Sequence, residues 1–264
     1  MALVNQEILD EIKNQDYRKI IQSIEAFLKN KISQSNASGV VFGLSGGIDS
    51  VVIAYLCSNV FKKNALALIM PDSKISPKTE TQDALKIVGD LGLDYKLLDI
   101  NLIHNGFSKH LEPNEIALGN LRARIRANIL YYYANAKNYL VVGTSDKSEY
   151  MIGYFTKYGD GSSDLIPIAS LYKTQVRELA NTLGVSDSII SKKSSPHLWK
   201  EHAAEEEIGF SYEEIDSVLY CIVDKKLSLD ETAKKTGIDK TSVEKIYQLY
   251  KKSQHKRITP DKLE

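Results

Sequence analysis

The segment Gly43-Leu44-Ser45-Gly46-Gly47-Ile48-Asp49-Ser50 concentrates the side chains and backbone types that handle phosphate. Paired glycines let backbone N–H groups approach an anion closely, and the hydroxyls of Ser45 and Ser50 can donate hydrogen bonds to phosphate oxygens. A helical pattern starts at Ile48, and a helix N-terminus adds free N–H donors and partial positive charge. Asp49 is itself anionic and cannot bind phosphate directly. It makes sense if it holds a Mg²⁺ that the phosphates share. The plainer alternative is a glycine turn with Asp49 stabilising the first helical turn. The whole string at a strand-to-helix switch favours phosphate, and its spacing matches neither Gly-x-x-x-x-Gly-Lys-Ser/Thr nor Gly-x-Gly-x-x-Gly. Farther along, Glu149 follows an apolar run and could share that Mg²⁺ with Asp49. Arg122, Arg124 and Arg126 alternate along a helical stretch, which spreads them over different faces rather than one patch.

Such groups need a frame. Residues 17–30 place Ile20, Ile21, Ile24, Phe27 and Leu28 on one helical face. Val40 to Leu44, Ala65 to Ile69, Tyr95 to Ile100 and Tyr139 to Gly143 read as strands, the apolar ones buried on both faces. Between them, Ile48 to Val60 and about Pro113 to Lys137 read as helices. A further helix opens with Ser76 as N-cap and Pro77 at its first position, and runs to about Leu91. Strands alternating with helices predict an α/β fold: a doubly wound, Rossmann-like parallel sheet flanked by helices. The glycine loop then lies at the carboxyl end of a strand, where open α/β sheets bind ligands. Residues from about 145 to 170 are rich in Gly, Ser and Asp and read as an irregular functional loop. Beyond Tyr172 the pattern is helical only. No linker is evident, so one domain is expected over residues 1–264, with an α/β core at about 17–190 and a helical C-terminal part at about 195–264.

The loop resembles the pyrophosphate-binding SGGxDS loop of the ATP pyrophosphatase superfamily, whose members cleave ATP between the α and β phosphates and activate a substrate as its adenylate. Five further segments follow in order: Gly119 to Arg126, Gly143 to Glu149, Thr156 to Gly161, Asp164 to Ile168, and Leu171-Tyr172-Lys173. Together they resemble the ammonia-dependent NAD⁺ synthetase family over about residues 17–260. That resemblance implies amidation of nicotinic acid adenine dinucleotide by ammonia through an adenylated carboxylate, with release of AMP and pyrophosphate. It implies Mg²⁺ on Asp49 and Glu149, and ATP contacts from Gly43, Leu44, Ser45, Gly46, Gly47, Ile48, Asp49, Ser50, Thr144, Lys173 and Ser195. Substrate contacts are implied for Arg124, Lys157, Asp164, His255 and Lys256. Asp49 and Lys173 would act catalytically, the lysine neutralising charge that develops as pyrophosphate leaves. A cytoplasmic homodimer with its substrate site at the subunit interface is implied as well. One segment departs: Ser194-Ser195-Pro196-His197-Leu198 stands where the family has Pro-Thr-Ala-Asp-Leu. Ser195 keeps a hydroxyl, Pro196 stiffens the backbone, and His197 replaces a carboxylate.

Composition narrows the alternatives. The 264 residues carry 34 basic and 34 acidic side chains, which argues against a general nucleic-acid or membrane-surface binder. Cys57 and Cys221 are too few for a disulfide framework or a Cys-rich zinc site and suit a reducing cytosol. No stretch approaches the roughly 18 apolar residues of a membrane helix. Met1 to Glu7 lacks the basic and apolar regions of a signal peptide. The synthetase pattern fills the chain and leaves no room for a fused glutamine-hydrolysing domain, so free ammonia is the expected nitrogen source.

Two rivals remain. A tRNA-modifying adenylating enzyme that transfers sulfur would need reactive cysteines, whereas Cys57 sits on an apolar helical stretch and reads as a core thiol. Leu229 to Val243 mimics a DNA-binding helix-turn-helix, glycine turn included. Tyr131-Tyr132-Tyr133 serves either a subunit interface or core packing.

Overall fold

A computed structural model describes residues 4–199, 202–260 and 263, so the start of the N-terminal stretch, Met1 to Leu3, lies outside it. Four strands form one parallel sheet: β1 (Gly39–Gly43), β2 (Ala65–Ile69), β3 (Asp94–Leu97) and β4 (Tyr139–Val142), in the order β3-β2-β1-β4. Val142 bridges to Leu165 beyond β4, which ties the following loop to the sheet edge.

Alternation along the strands sends side chains to two faces, each covered by helices. Val40, Phe42, Ala65, Ala67 and Ile69 pack with α2 (Tyr17–Ser35), α3 (Ile48–Phe61), α4 (Lys78–Leu91), α8 (Lys173–Leu183) and the short α9 (Asp187–Ile190). Val41, Leu66, Leu68 and Val141 face the other way, against α6 (Glu115–Lys137). The sheet is therefore doubly wound. A third cluster joins α1 (Gln6–Lys13) and α7 (Lys147–Ile152) to α11 (Tyr212–Leu219), α12 (Leu229–Thr236) and α13 (Lys240–Lys252) through Ile8, Ile12, Ile152, Tyr212, Ile215, Val243 and Ile246. The remaining helices are α5 (Asn101–Ser108) and α10 (Ala204–Ile208), and a π turn over Tyr220–Asp224 extends α11.

Several expectations shift. The third strand is Asp94–Leu97 rather than a run to Ile100, and all four of its residues are exposed because it is the sheet edge. Ile100 instead caps α5, a helix the apolar pattern did not announce, and is fully buried. Pro77, not Ser76, is the N-cap of α4, while Ser76 Oγ accepts a hydrogen bond from Asp72 N at 3.0 Å. On α2, Ile24 and Leu28 are buried but Phe27 turns toward solvent. The loop at 145–170 is helical over α7 before it becomes irregular. Residues 229–252 do form two helices around a left-handed turn at Gly237, with Ile238, Val243 and Ile246 buried against the C-terminal helices. Among the described residues no helix is long and apolar enough to cross a membrane.

Candidate active site

The chain leaves β1 at Gly43 and enters α3 at Ile48. Leu44 N donates to Leu68 O at 2.9 Å, so the loop starts in register with β2. Gly46 has φ +92, and a Cβ there would lie 2.4 Å from the Glu80 carbonyl oxygen, so the position accepts glycine alone. Ser45 N donates to Ser50 Oγ at 3.1 Å, Ser50 Oγ donates to Gly47 O at 2.9 Å, and the two serine hydroxyls lie 3.0 Å apart. These bonds hold the turn while Gly47, the α3 N-cap, supplies no side chain to the helix N–H groups. Helix N-terminal donors left uncapped in this way are the kind that can receive an anion. Lys192 straps the loop from the far side: its Nζ donates to Gly46 O at 3.0 Å and pairs with Asp83 at 2.6 Å and Glu80 at 3.1 Å.

Next to this loop three carboxylates converge. Asp49 in the first turn of α3, Asp146 at the N-cap of α7 and Glu149 one turn later bring oxygens within 4.8 Å of one another. The Lys173 ammonium stands among them, 2.6 Å from Asp49 Oδ2, 2.9 Å from Asp146 Oδ2 and 2.8 Å from Glu149 Oε1. Lys173 is fully buried at the start of α8, with its Nζ 4.9 Å from the Tyr212 ring centroid. Tyr212 also donates its hydroxyl to Glu149 Oε1 at 3.1 Å. Burial, together with the neighbouring carboxylates, pushes Asp146 and Glu149 above the usual carboxylate range. Burial works against the lysine charge, but Asp146, Asp49 and Glu149 outweigh it and hold the ammonium well above its ordinary range.

Asp216 locks the arrangement from α11. Its carboxylate takes a short hydrogen bond from Ser148 Oγ and another from Thr174 N at 2.9 Å, while Lys173 N donates to Ser148 Oγ at 2.8 Å. The first turns of α7 and α8 are thereby tied to one buried group. An all-oxygen donor set suits a hard cation such as Mg²⁺. Asp49 Oδ1 is a buried atom that accepts no hydrogen bond, and Asp146 Oδ2 is met only by the Lys173 ammonium, so the cluster retains capacity for such an ion.

A family model described as NAD synthase matches residues 20–260. The chain belongs to the NAD synthase family. It is 48% identical over 256 residues to an NH(3)-dependent NAD(+) synthetase of Staphylothermus marinus, covering 96% of this chain and 93% of that one. An NH3-dependent NAD synthetase structure from Campylobacter jejuni aligns with a TM-score of 0.82 at 37% identity, covering 95% of this chain and all of that one. An NMN synthetase structure from Francisella tularensis aligns with a TM-score of 0.84 at 32% identity, covering 95% and 99%.

The remaining positions expected from the synthetase resemblance fall into two groups. Arg124 is exposed, and its guanidinium donates to Lys157 O at 3.3 Å; Lys157 Nζ donates to His255 O at 3.0 Å. Lys256 Nζ caps Gly153 O at 2.7 Å and Phe155 O at 2.8 Å. Bonds to backbone carbonyls therefore bring Arg124, Lys157 and His255 together, with Lys256 next in the chain and its ammonium engaged by carbonyls, as a rim drawn from α6, the loop after α7 and the turn at 254–256. Its two neighbouring arginines are committed elsewhere: Arg122 Nε pairs with buried Asp72 at 2.7 Å, and Arg126 Nε donates to Met70 O at 2.9 Å. Asp164 is engaged in structure, accepting Val141 N at 2.7 Å and the Tyr131 hydroxyl at 3.3 Å. Thr144 sits between β4 and α7 at the sheet end that carries the acidic cluster.

The divergent loop is folded over itself. The Ser195 hydroxyl donates to His202 O and accepts His197 N at 3.1 Å, and His197 takes a left-handed φ of 46°. Arg122 donates to Leu198 O at 3.1 Å, and the Trp199 ring stacks on His202 at 3.5 Å. Sequence reasoning missed Asp146, Tyr212, Asp216 and Lys192. Asp146 carried a usable signal, an Asp three residues before a Glu where a strand gives way to a helix; the other three carried none.

Proposed function

We propose that the loop after β1 receives the pyrophosphate of ATP in an ammonia-dependent NAD⁺ synthetase, and that the substrate carboxylate is adenylated beside Asp49, Asp146 and Glu149. The convergence of those carboxylates on the phosphate loop carries this reading. The carboxylate of nicotinic acid adenine dinucleotide attacks the α-phosphorus of ATP, and the bond to the β-phosphate oxygen breaks. Gly46 and Gly47 N–H groups, the α3 N-terminus and the Ser45 and Ser50 hydroxyls meet the departing pyrophosphate, while the Lys173 ammonium offsets its charge. Ammonia then attacks the acyl carbon and expels AMP. No side chain acts as nucleophile, so this chain contributes mainly by positioning and electrostatics. Asp49 and Glu149 would hold a Mg²⁺, which when bound would supply charge neutralisation for the phosphates.

The same reading gives the rim of Arg124, Lys157, His255 and Lys256 to the anionic dinucleotide, with Asp164 on its polar groups, and gives Thr144 and Ser195 to ATP. Ser195 would exchange its bond to His202 for the nucleotide. A homodimer is supported by exposed apolar side chains along this stretch of chain: Leu102, Ile103 and Phe107 on α5, Leu111 after it, and Ile116 and Tyr132 on α6. We place this single synthetase unit in the cytoplasm, a reducing compartment that suits its buried free thiols.

Purified protein incubated with ATP, Mg²⁺ and nicotinic acid adenine dinucleotide should form NAD⁺ and AMP in equal amounts with ammonium, and little NAD⁺ with glutamine. Absence of NAD⁺ with both nitrogen sources rejects the assignment. The Francisella likeness makes the mononucleotide acid the informative competitor: faster amidation of it than of the dinucleotide would shift the reading to NMN synthesis.

A further inference from the structure

We propose that the Lys173 ammonium is a resident counter-cation standing where the divalent metal binds, with Asp146 a third carboxylate of that metal site, so that metal and ATP load together. This rests on the reading that Asp49 and Glu149 hold a divalent ion beside bound ATP. The lysine takes one oxygen from each of three carboxylates, Asp49, Asp146 and Glu149, the same three groups that could hold a metal ion. Three carboxylates whose oxygens lie within 4.8 Å repel strongly in a buried setting, and one ammonium leaves two negative charges uncompensated. One divalent cation would balance them, but it must either displace the ammonium or sit beside it against like-charge repulsion.

The lysine backbone cannot retreat, because Lys173 N is bonded to Ser148 Oγ at 2.8 Å and Thr174 N to Asp216 at 2.9 Å. The tip of the side chain can. Phosphates bound in the adjacent loop give the ammonium a second anionic partner at the neck of Asp49. Without them it has nowhere comparable to go, so the metal competes with a fully buried ion pair. Binding of metal and of triphosphate is then positively coupled, and the coupling is the same viewed from either ligand.

Asp146 fits the third position by its bonding. Its Oδ1 caps α7 by accepting Glu149 N at 2.8 Å, while its Oδ2 faces the cluster without an aligned hydrogen bond. Replacement by asparagine keeps the cap and removes the charge.

The test is Mn²⁺ binding to the intact protein, followed by calorimetry and electron paramagnetic resonance, alone and with the non-cleavable analogue α,β-methylene-ATP. Wild type should bind Mn²⁺ weakly alone and about tenfold or more tightly with the analogue. Lys173→Met should bind Mn²⁺ alone about tenfold more tightly than wild type and lose most of the coupling. Asp146→Asn should weaken Mn²⁺ binding in both conditions. The double variant Lys173→Met/Asp146→Asn removes one charge of each sign, which protects folding, and its Mn²⁺ affinity without nucleotide should still exceed that of wild type. Unchanged or weaker affinity in both lysine variants, or coupling that survives in them, overturns the proposal while leaving the metal reading in place. No Mn²⁺ binding by wild type even with the analogue overturns both.

Discussion

Asp49 joins the glycine loop to the acidic cluster, because it lies in the first turn of α3 and its Oδ2 touches Lys173. Asp49→Asn preserves shape and removes charge. ATP/pyrophosphate exchange should fall about 100-fold or more, with circular dichroism and melting temperature close to wild type; near-normal exchange would reject a metal role for the residue. Gly46 presents a backbone constraint instead. Alanine there meets both a positive φ and the Glu80 carbonyl, so Gly46→Ala should cost about 1–3 kcal/mol and raise KM for ATP. Denaturant melts and initial rates check both, and an unchanged KM would detach the loop from the nucleotide. Both residues stand out in the linear sequence, since adjacent glycines followed by Ile-Asp-Ser at a strand end carry their geometry locally.

The elements around the site are tied by α11, and Asp216 is the tie. Burial pushes its carboxyl from 3.8 up to about 6, above its unfolded value. Between those two pH values the native state holds more protons than the unfolded chain, so this group makes stability fall as pH rises from about 4 to about 6. Its bonds from Ser148 and Thr174 remain once it is ionised. Asp216→Asn should lose that slope, so that the wild type's stability relative to the variant declines by on the order of 3 kcal/mol across the window. Urea midpoints measured from pH 4 to 7 decide it, and parallel curves count against the assignment. At this scale β1, β2 and α3 were legible from their apolar runs. β3 was read as a strand but carried on to Ile100, and α5 was not read at all, because an exposed edge strand and a helix capped by Ile100 leave no clean period. The Leu229 to Val243 segment looked like a DNA reader for an equally physical reason. Its buried positions follow the same spacing, here used to pack α12 and α13 against α11.

For the molecule as a whole, the exposed apolar side chains on α5 and α6 are where the proposed homodimer would meet. Phe107→Glu combined with Ile116→Glu should halve the mass seen by light scattering and raise KM for nicotinic acid adenine dinucleotide by about tenfold, if the dinucleotide spans two copies. A dimeric variant with unaltered KM would place the interface elsewhere. The tyrosine run divides across this surface: Tyr132 is exposed, Tyr131 bonds Asp164, and Tyr133 packs beneath the sheet.

What the sequence determined by itself was local: the glycine loop, its place at the end of a buried strand, and the alternation of strands and helices that makes the sheet parallel. Such features depend on φ/ψ limits, side-chain periodicity and hydrogen bonds between near neighbours. The resemblance added the expectation of a catalytic role for Lys173 and of a metal on Asp49 and Glu149. Only the tertiary structure decided that Lys173 Nζ lies 2.6 Å from a carboxylate 124 residues away, that Asp146 makes the acidic pair a triad, and that Asp216 holds both helix starts. The reason is electrostatic. A buried charge is tolerable only where opposite charges converge on it, and that convergence is set by where crossovers return the chain to the sheet end.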